Sequence, residues 1–139
     1  MDVARKCCLM LTSKYERFIF DADFIIPVPS FWTRTLRRGF NPADIIAIEL
    51  SKNLNIPLDL KALKRIRKTE YQKNKTKVER EKNIENAFLC EGNIRGKKIL
   101  LIDDVMTTGT TLNECAKALK MAGASVVVGL TIASTKALK

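Results

Sequence analysis

The chain has 139 residues, 46% of them hydrophobic, and a formal net charge of +10. That length supports one domain with a real core, and no apolar run approaches the roughly 20 residues that span a bilayer. The absence of histidine excludes chemistry that needs an imidazole base, and Cys7, Cys8, Cys90 and Cys115 lack paired metal-ligand spacing, so no zinc site is expected.

Residues 1–20 read as an N-terminal helical extension anchored by Tyr15, Phe18, Ile19 and Phe20. The apolar run at 7–11 is too short and too poorly flanked for a signal peptide, and a cytoplasmic location is expected. Residues 23–29 form a buried strand that enters a proline-stiffened turn, the strand proper stopping near Ile26. Residues 30–40 are a loop of aromatic and basic side chains. Asn41 then caps a helix with Pro42 at its first position, and Ala43, Ile46, Ala47, Leu50 and Leu54 give that helix one apolar face. Residues 55–57 end it.

A second strand is expected over residues 58–66. Residues 67–80 contain only Tyr71 and Val78 as apolar residues, too few to offset the entropy of ordering, so a mobile loop is expected there. Residues 86–90 read as a third strand and 92–96 as a turn.

Ile99 to Ile102 is an unbroken apolar run, the pattern of a strand covered on both faces in a parallel sheet. Asp103 and Asp104 follow, at the strand end where open α/β sheets bind ligands. Then come Val105, Met106, Thr107, Thr108, Gly109, Thr110 and Thr111. A helix starts near Thr111, with Leu112, Cys115, Ala116, Leu119 and Ala122 at helical spacing, and Thr111 with Glu114 fits a capping box. Gly123 ends it and residues 125–133 form a fifth strand. The order predicts an α/β fold: a mainly parallel twisted sheet with flanking helices.

A strand, a polar loop and a helix start together make an anion cradle, because free N–H groups and the helix dipole point at the ligand. Two carboxylates beside a phosphate make sense if the ligand also carries hydroxyls, or a divalent cation that needs oxygen ligands. A sugar phosphate with Mg²⁺ meets both conditions. An ordinary strand-to-helix turn with a solvated acid pair is the plain alternative. The charge is uneven as well: residues 61–98 hold thirteen Lys/Arg against five Glu, eight of the ten surplus charges. Such a stretch points to an anionic partner, either a polyphosphate substrate or nucleic acid.

The run from Ile99 to Thr111 resembles the signature of the type I phosphoribosyltransferases, which bind 5-phosphoribosyl 1-pyrophosphate (PRPP). The resemblance implies that Asp103 and Asp104 take the ribose hydroxyls and that Val105 to Thr111 line the PRPP loop, with Thr107 to Thr111 on the 5-phosphate. Other segments are similar to the ComF family of competence-associated phosphoribosyltransferase-like proteins: residues 26–29, Arg37-Arg38-Gly39-Phe40-Asn41, Arg67-Lys68-Thr69 with Gln72, and Glu79-Arg80 with Asn83, Ala87 and Phe88. Their order and spacing also resemble the catalytic domain of glutamine PRPP amidotransferase. ComF proteins usually begin with a cysteine-rich zinc module, which this sequence lacks, and Pro42 stands where the family often has glutamine.

The resemblance implies one phosphoribosyltransferase-like domain over 1–139 in which pyrophosphate is displaced from the ribose C1 by an unidentified acceptor. Asp103 and Asp104 are then the catalytic pair and the water-mediated Mg²⁺ ligands. Ser30, Arg37, Arg38, Lys73, Lys75, Lys77 and Arg80 form the pyrophosphate loop and hood. The alternative is a non-catalytic PRPP-fold protein that serves competence through single-stranded DNA or a protein of the competence machinery. A homodimer completes the expected partners.

Overall fold

The computed structural model describes residues 19, 21–30, 39–66, 76, 78, 85–106 and 109–134. Within them the elements run β1 (Phe24–Pro27), α1 (Pro42–Leu54), β2 (Leu63–Arg65), β3 (Phe88–Cys90), β4 (Lys98–Met106), α2 (Thr110–Met121) and β5 (Val126–Ser134). The described strands make a three-stranded sheet in the order β1-β4-β5 and a separate two-stranded sheet of β2 and β3. Both pairings of the larger sheet are parallel, and β2 pairs with β3 antiparallel. The chain is therefore α/β with a parallel sheet and flanking helices, as expected.

The unbroken apolar run is explained by its place. β4 is the middle strand, and its side chains alternate between two cores. Ile99 and Leu101 pack with Leu63 and Phe88 of the small sheet and with Cys115 and Leu119 of α2. Leu100 and Ile102 pack on the other face with Ile46, Ala47 and Leu50 of α1, together with Ile19 and Ile25. A strand covered on both sides has no position for a polar residue until it leaves the cores.

Both helices have definite ends. Asn41 caps α1 through its side chain, which accepts from the Ala43 N–H at 3.3 Å, and Pro42 stands in the first turn. Asn55 closes α1 in the left-handed conformation, φ 55°. α2 closes at Gly123, φ 101°, where the Ala124 N–H reaches back to the Leu119 carbonyl at 3.1 Å. Glycine accepts that backbone at no steric cost.

Residues 58–66 do not form one strand. Asp59 accepts from the Lys61 and Ala62 N–H groups, both at 2.9 Å, which folds the chain into a turn. Leu58 makes an isolated parallel bridge to Ile25 before that turn, and β2 begins only at Leu63. Short Asx side chains compete with strand pairing in this way. β2 and β3 also stand apart from the parallel sheet instead of extending it. The expected N-terminal helix and the mobile loop at 67–80 lie outside the described residues apart from Ile19, Thr76 and Val78.

The packing predicts a clear contrast in urea titration. Leu100→Ala, at a side chain with 0% exposure, should cost about 2–5 kcal/mol through lost burial and a cavity. Met121→Ala, at 81% exposure, should stay within about 0.5 kcal/mol. Equal costs would contradict the two-sided burial of β4.

Candidate functional site

β4 outruns its neighbour on one side. Its pairing with β1 ends at Pro27 and Ile102, whereas its pairing with β5 continues from Asp103 and Thr131 to Met106 and Ser134. Asp103 and Asp104 therefore lie inside the strand and not after it. They are also the first residues of β4 beyond the last paired residue of β1. A strand that outlives one neighbour opens a crevice on that side, at the carboxyl ends where α/β sheets take ligands.

Four hydrogen bonds shape that crevice. The Val28 N–H donates to the Ile102 carbonyl at 2.7 Å, the last backbone link between the two chain segments. The Val28 carbonyl accepts from Asn41 Nδ2 at 3.1 Å. The Asp104 N–H donates to Asp103 Oδ1 at 2.9 Å. Asn41 Nδ2 also donates to Asp44 Oδ1 at 3.1 Å. Pro27, Pro29, Ser30, Asn41, Asp44 and Leu60 line a small hollow of about 130 Å³ at the exit of β1.

The acid pair is electrostatically tense. Burial pushes the Asp103 carboxyl up to about 7, the hydrogen bond to the Asp104 side chain and that group's charge push the same way, and the Asp104 N–H opposes them. Burial is also the main cause that raises Asp44, with the Asn41 hydrogen bond opposing it. Below the pair, burial and the Asp103 charge push the Cys115 thiol far above its usual range, so it stays protonated and serves packing.

Across the loop, Gly109 is the N-cap of α2, with φ 83° and no side-chain cap. The expected capping box of Thr111 and Glu114 does not form. The Glu114 carboxylate instead accepts from the Asn86 N–H at 3.2 Å, holding the approach to β3. Gly109 brings no side chain of its own to the α2 N-terminus, and a helix start with its dipole is suited to an anion. Thr110 and Thr111 are half-buried in that first turn.

The structure brings Ser30 to the exit of β1, the acid pair to β4 and Gly109 to Thr111 to the start of α2. Val105 is exposed next to the pair. Met106 closes the pairing of β4 with β5. Thr107, Thr108, Arg37, Arg38, Lys73, Lys75, Lys77 and Arg80 lie outside the described residues.

Sequence reasoning read Asn41 as a helix cap and as the end of the Arg37-to-Asn41 family run, without its link to Val28, and passed over Asp44 and Arg65. Arg65 stacks over the Phe88 ring at 5.6 Å, and its charge reaches the Cys115 thiol together with that of Asp103. Only the general basic surplus signalled it. A larger hollow of about 440 Å³ lies between residues 59–64 and Glu91-Gly92. None of the expected site residues lines it, so volume does not mark the site here.

The donor set fits a hard cation. Two carboxylates supply oxygen ligands, and Mg²⁺ is commonly held by one or two carboxylates with substrate phosphates and water. Among the described residues no group of three or more acids or thiols could hold a metal by itself, so such an ion would depend on substrate oxygens.

The phosphoribosyl transferase domain family matches residues 35–137. The chain is 38% identical to Competence protein F of Haemophilus influenzae over 104 residues, which are 73% of this chain and 45% of that protein. It is 39% identical to the DNA utilization protein YhgH of Shigella flexneri over 105 residues, 76% of this chain and 46% of that one. The chain thus spans a little under half the length of these relatives. In fold it is similar to a purine phosphoribosyltransferase from Pyrococcus horikoshii, with a TM-score of 0.61 and 21% identity over 94% of this chain and 72% of that one.

The raised Asp103 carboxyl makes a signed prediction for the unliganded protein. The folded state keeps a proton up to about pH 7 that the unfolded chain releases near 3.8. Folding stability from this group is therefore greatest below 3.8 and is lost as pH rises towards 7. Asp103→Asn should flatten that fall in urea titrations across the same window. Parallel pH profiles for the two proteins would contradict the tension in the pair.

Proposed function

The chain belongs to the phosphoribosyl transferase domain family, and we propose that it binds PRPP with Mg²⁺ and transfers the phosphoribosyl group to an acceptor nucleophile. The observation that carries this is the sharing of one strand-loop-helix connection by a carboxylate pair and a helix N-terminus whose N-cap is a glycine. Carboxylates suit sugar hydroxyls and a cation, and the helix start suits a phosphate. A ligand with only one of these features would leave the other group unmatched.

In this reading Asp103 and Asp104 accept hydrogen bonds from the ribose hydroxyls and fix the sugar. The turn from Gly109 to Thr111 holds the 5-phosphate, and Ser30 faces the pyrophosphate. The bond from C1 to the pyrophosphate oxygen breaks, its electron pair leaves with the pyrophosphate, and the acceptor's lone pair closes on C1. Positive charge gathers on the ribose between those events, so the residues act by positioning and by balancing charge. Mg²⁺, held by Asp103 and Asp104 together with substrate oxygens, would supply neutralisation of the departing anion. The basic residues Arg37, Arg38, Lys73, Lys75, Lys77 and Arg80 are suited to closing over the pyrophosphate and excluding water.

A second reading draws on the relatives, whose names refer to competence and DNA utilization. In it the chain keeps the PRPP fold, does no transfer and serves DNA uptake through nucleic-acid or protein contacts. Incubation with PRPP, Mg²⁺ and a panel of nucleobases and amines separates the two. Acceptor-dependent pyrophosphate release supports transfer. Its absence, with single-stranded DNA binding that weakens steeply in salt, supports the second reading.

PRPP with Mg²⁺ should raise the melting temperature by mass action. The double variant Asp103→Asn/Asp104→Asn should remove that shift and leave an intact fold; normal PRPP binding by it would end the ribose assignment. Gly109→Val, at a backbone angle of φ 83° that a β-branched residue avoids, should lose most PRPP affinity in calorimetry. Its loss of stability in urea should be smaller, since the turn lies outside both cores.

A further inference from the structure

We propose that Asn41 is a positioning residue that divides β1 from β4 and so sets the width of the crevice receiving the pyrophosphate of PRPP. The inference rests on the PRPP reading above and assigns it the N-cap residue of α1, which would not touch the reacting atoms.

The register of the parallel pair is fixed: Ile26 aligns with Leu101 and Pro27 with Ile102. The Val28 N–H continues the ladder by donating to the Ile102 carbonyl at 2.7 Å. In an evenly spaced parallel ladder the next rung would run from the Asp104 N–H to the Val28 carbonyl. Both of those groups are engaged by side chains instead. Asn41 Nδ2 donates to the Val28 carbonyl at 3.1 Å, and Asp103 Oδ1 accepts from the Asp104 N–H at 2.9 Å. The two substitutions happen at one rung, and they end the pairing at the place where the acid pair begins.

Asn41 is anchored from behind while it does this. Its Oδ1 accepts the Ala43 N–H at 3.3 Å as the cap of α1, and its Nδ2 also donates to Asp44 Oδ1 at 3.1 Å. Its amide thus ties the exit of β1 to the rigid start of a helix that packs on β1 and β4. Pro29 and Ser30 follow at once, and they share the 130 Å³ hollow with Asn41 and Asp44. With the Nδ2 donor gone, the Val28 carbonyl would be left to recover the Asp104 N–H, drawing the Ser30 loop towards the acid pair.

Asparagine suits this task because one side chain carries both an acceptor and two donors. Serine caps a helix nearly as well but cannot reach both partners. Aspartate keeps the shape and the cap but turns an acceptor towards the Val28 carbonyl. The variants Asn41→Ser and Asn41→Asp therefore separate capping from division of the strands.

The experiment measures binding of pyrophosphate with Mg²⁺ and of ribose 5-phosphate by calorimetry, with urea midpoints and Asp104 amide exchange by NMR. In Asn41→Ser, pyrophosphate affinity should fall about tenfold or more, about 1.4 kcal/mol of binding. Ribose 5-phosphate affinity should stay within about twofold, and the Asp104 amide should gain protection as it re-pairs. Asn41→Asp should show the same loss for pyrophosphate, which keeps the test decisive if the serine variant fails to fold. Unchanged pyrophosphate affinity in a folded variant overturns the inference while leaving the PRPP reading in place. An equal loss for both ligands with a lowered urea midpoint also overturns it, since Asn41 is then only a cap. A wild-type protein that binds neither ligand removes the PRPP reading itself.

Discussion

The two-sided burial of β4 is the constraint from which the other features follow. Four consecutive apolar residues, Ile99 to Ile102, are fully buried and feed two separate cores. That demand fixes α1 on one face, and α2 with the β2–β3 pair on the other. It also fixes where polarity can begin, since the first carboxylate, Asp103, directly follows Ile102, the last β4 residue held in either core. The site we propose thus lies where apolar cover is exhausted, on the first backbone of β4 that neither core claims.

Placing two carboxylates where an anion is expected looks unfavourable, and the surrounding electrostatics answer it in part. Asp103 holds its proton to about pH 7, so the resting pair carries less negative charge than two free acids would. A cation or a set of hydroxyl donors can then displace that proton and take its place. The helix start at Gly109 supplies positive potential from the other side of the loop. The net charge of +10 gives the whole molecule a field that attracts polyphosphates.

Much of this was legible from residues because the relevant signals are local. The run at 99–102 announced a buried strand, and Asn41-Pro42 announced a helix start. Two readings missed for a common reason: short polar side chains chose tertiary partners that sequence spacing cannot show. Asp59 took two backbone N–H groups and turned a strand into a bend. Glu114 left its helix terminus to hold Asn86, 28 residues away. Asn41 caps α1 as its sequence context announced, and its amide also reaches Val28, 13 residues back. The separate β2–β3 sheet was hidden similarly, because alternation reports a half-buried strand without reporting which neighbour it pairs with.

The middle position of β4 has a further consequence, for the order in which the molecule can assemble. β1 finds its partner strand 75 residues downstream, as the link between Asp23 and Lys98 illustrates. Until β4 leaves the ribosome, β1, α1 and the β2–β3 pair have apolar faces and no strand to bury them against. Closing so long a loop costs chain entropy before any contact repays it. The last third of the sequence is therefore the organising template for the first two thirds, and a nascent chain stalled short of residue 98 would be a client for chaperones.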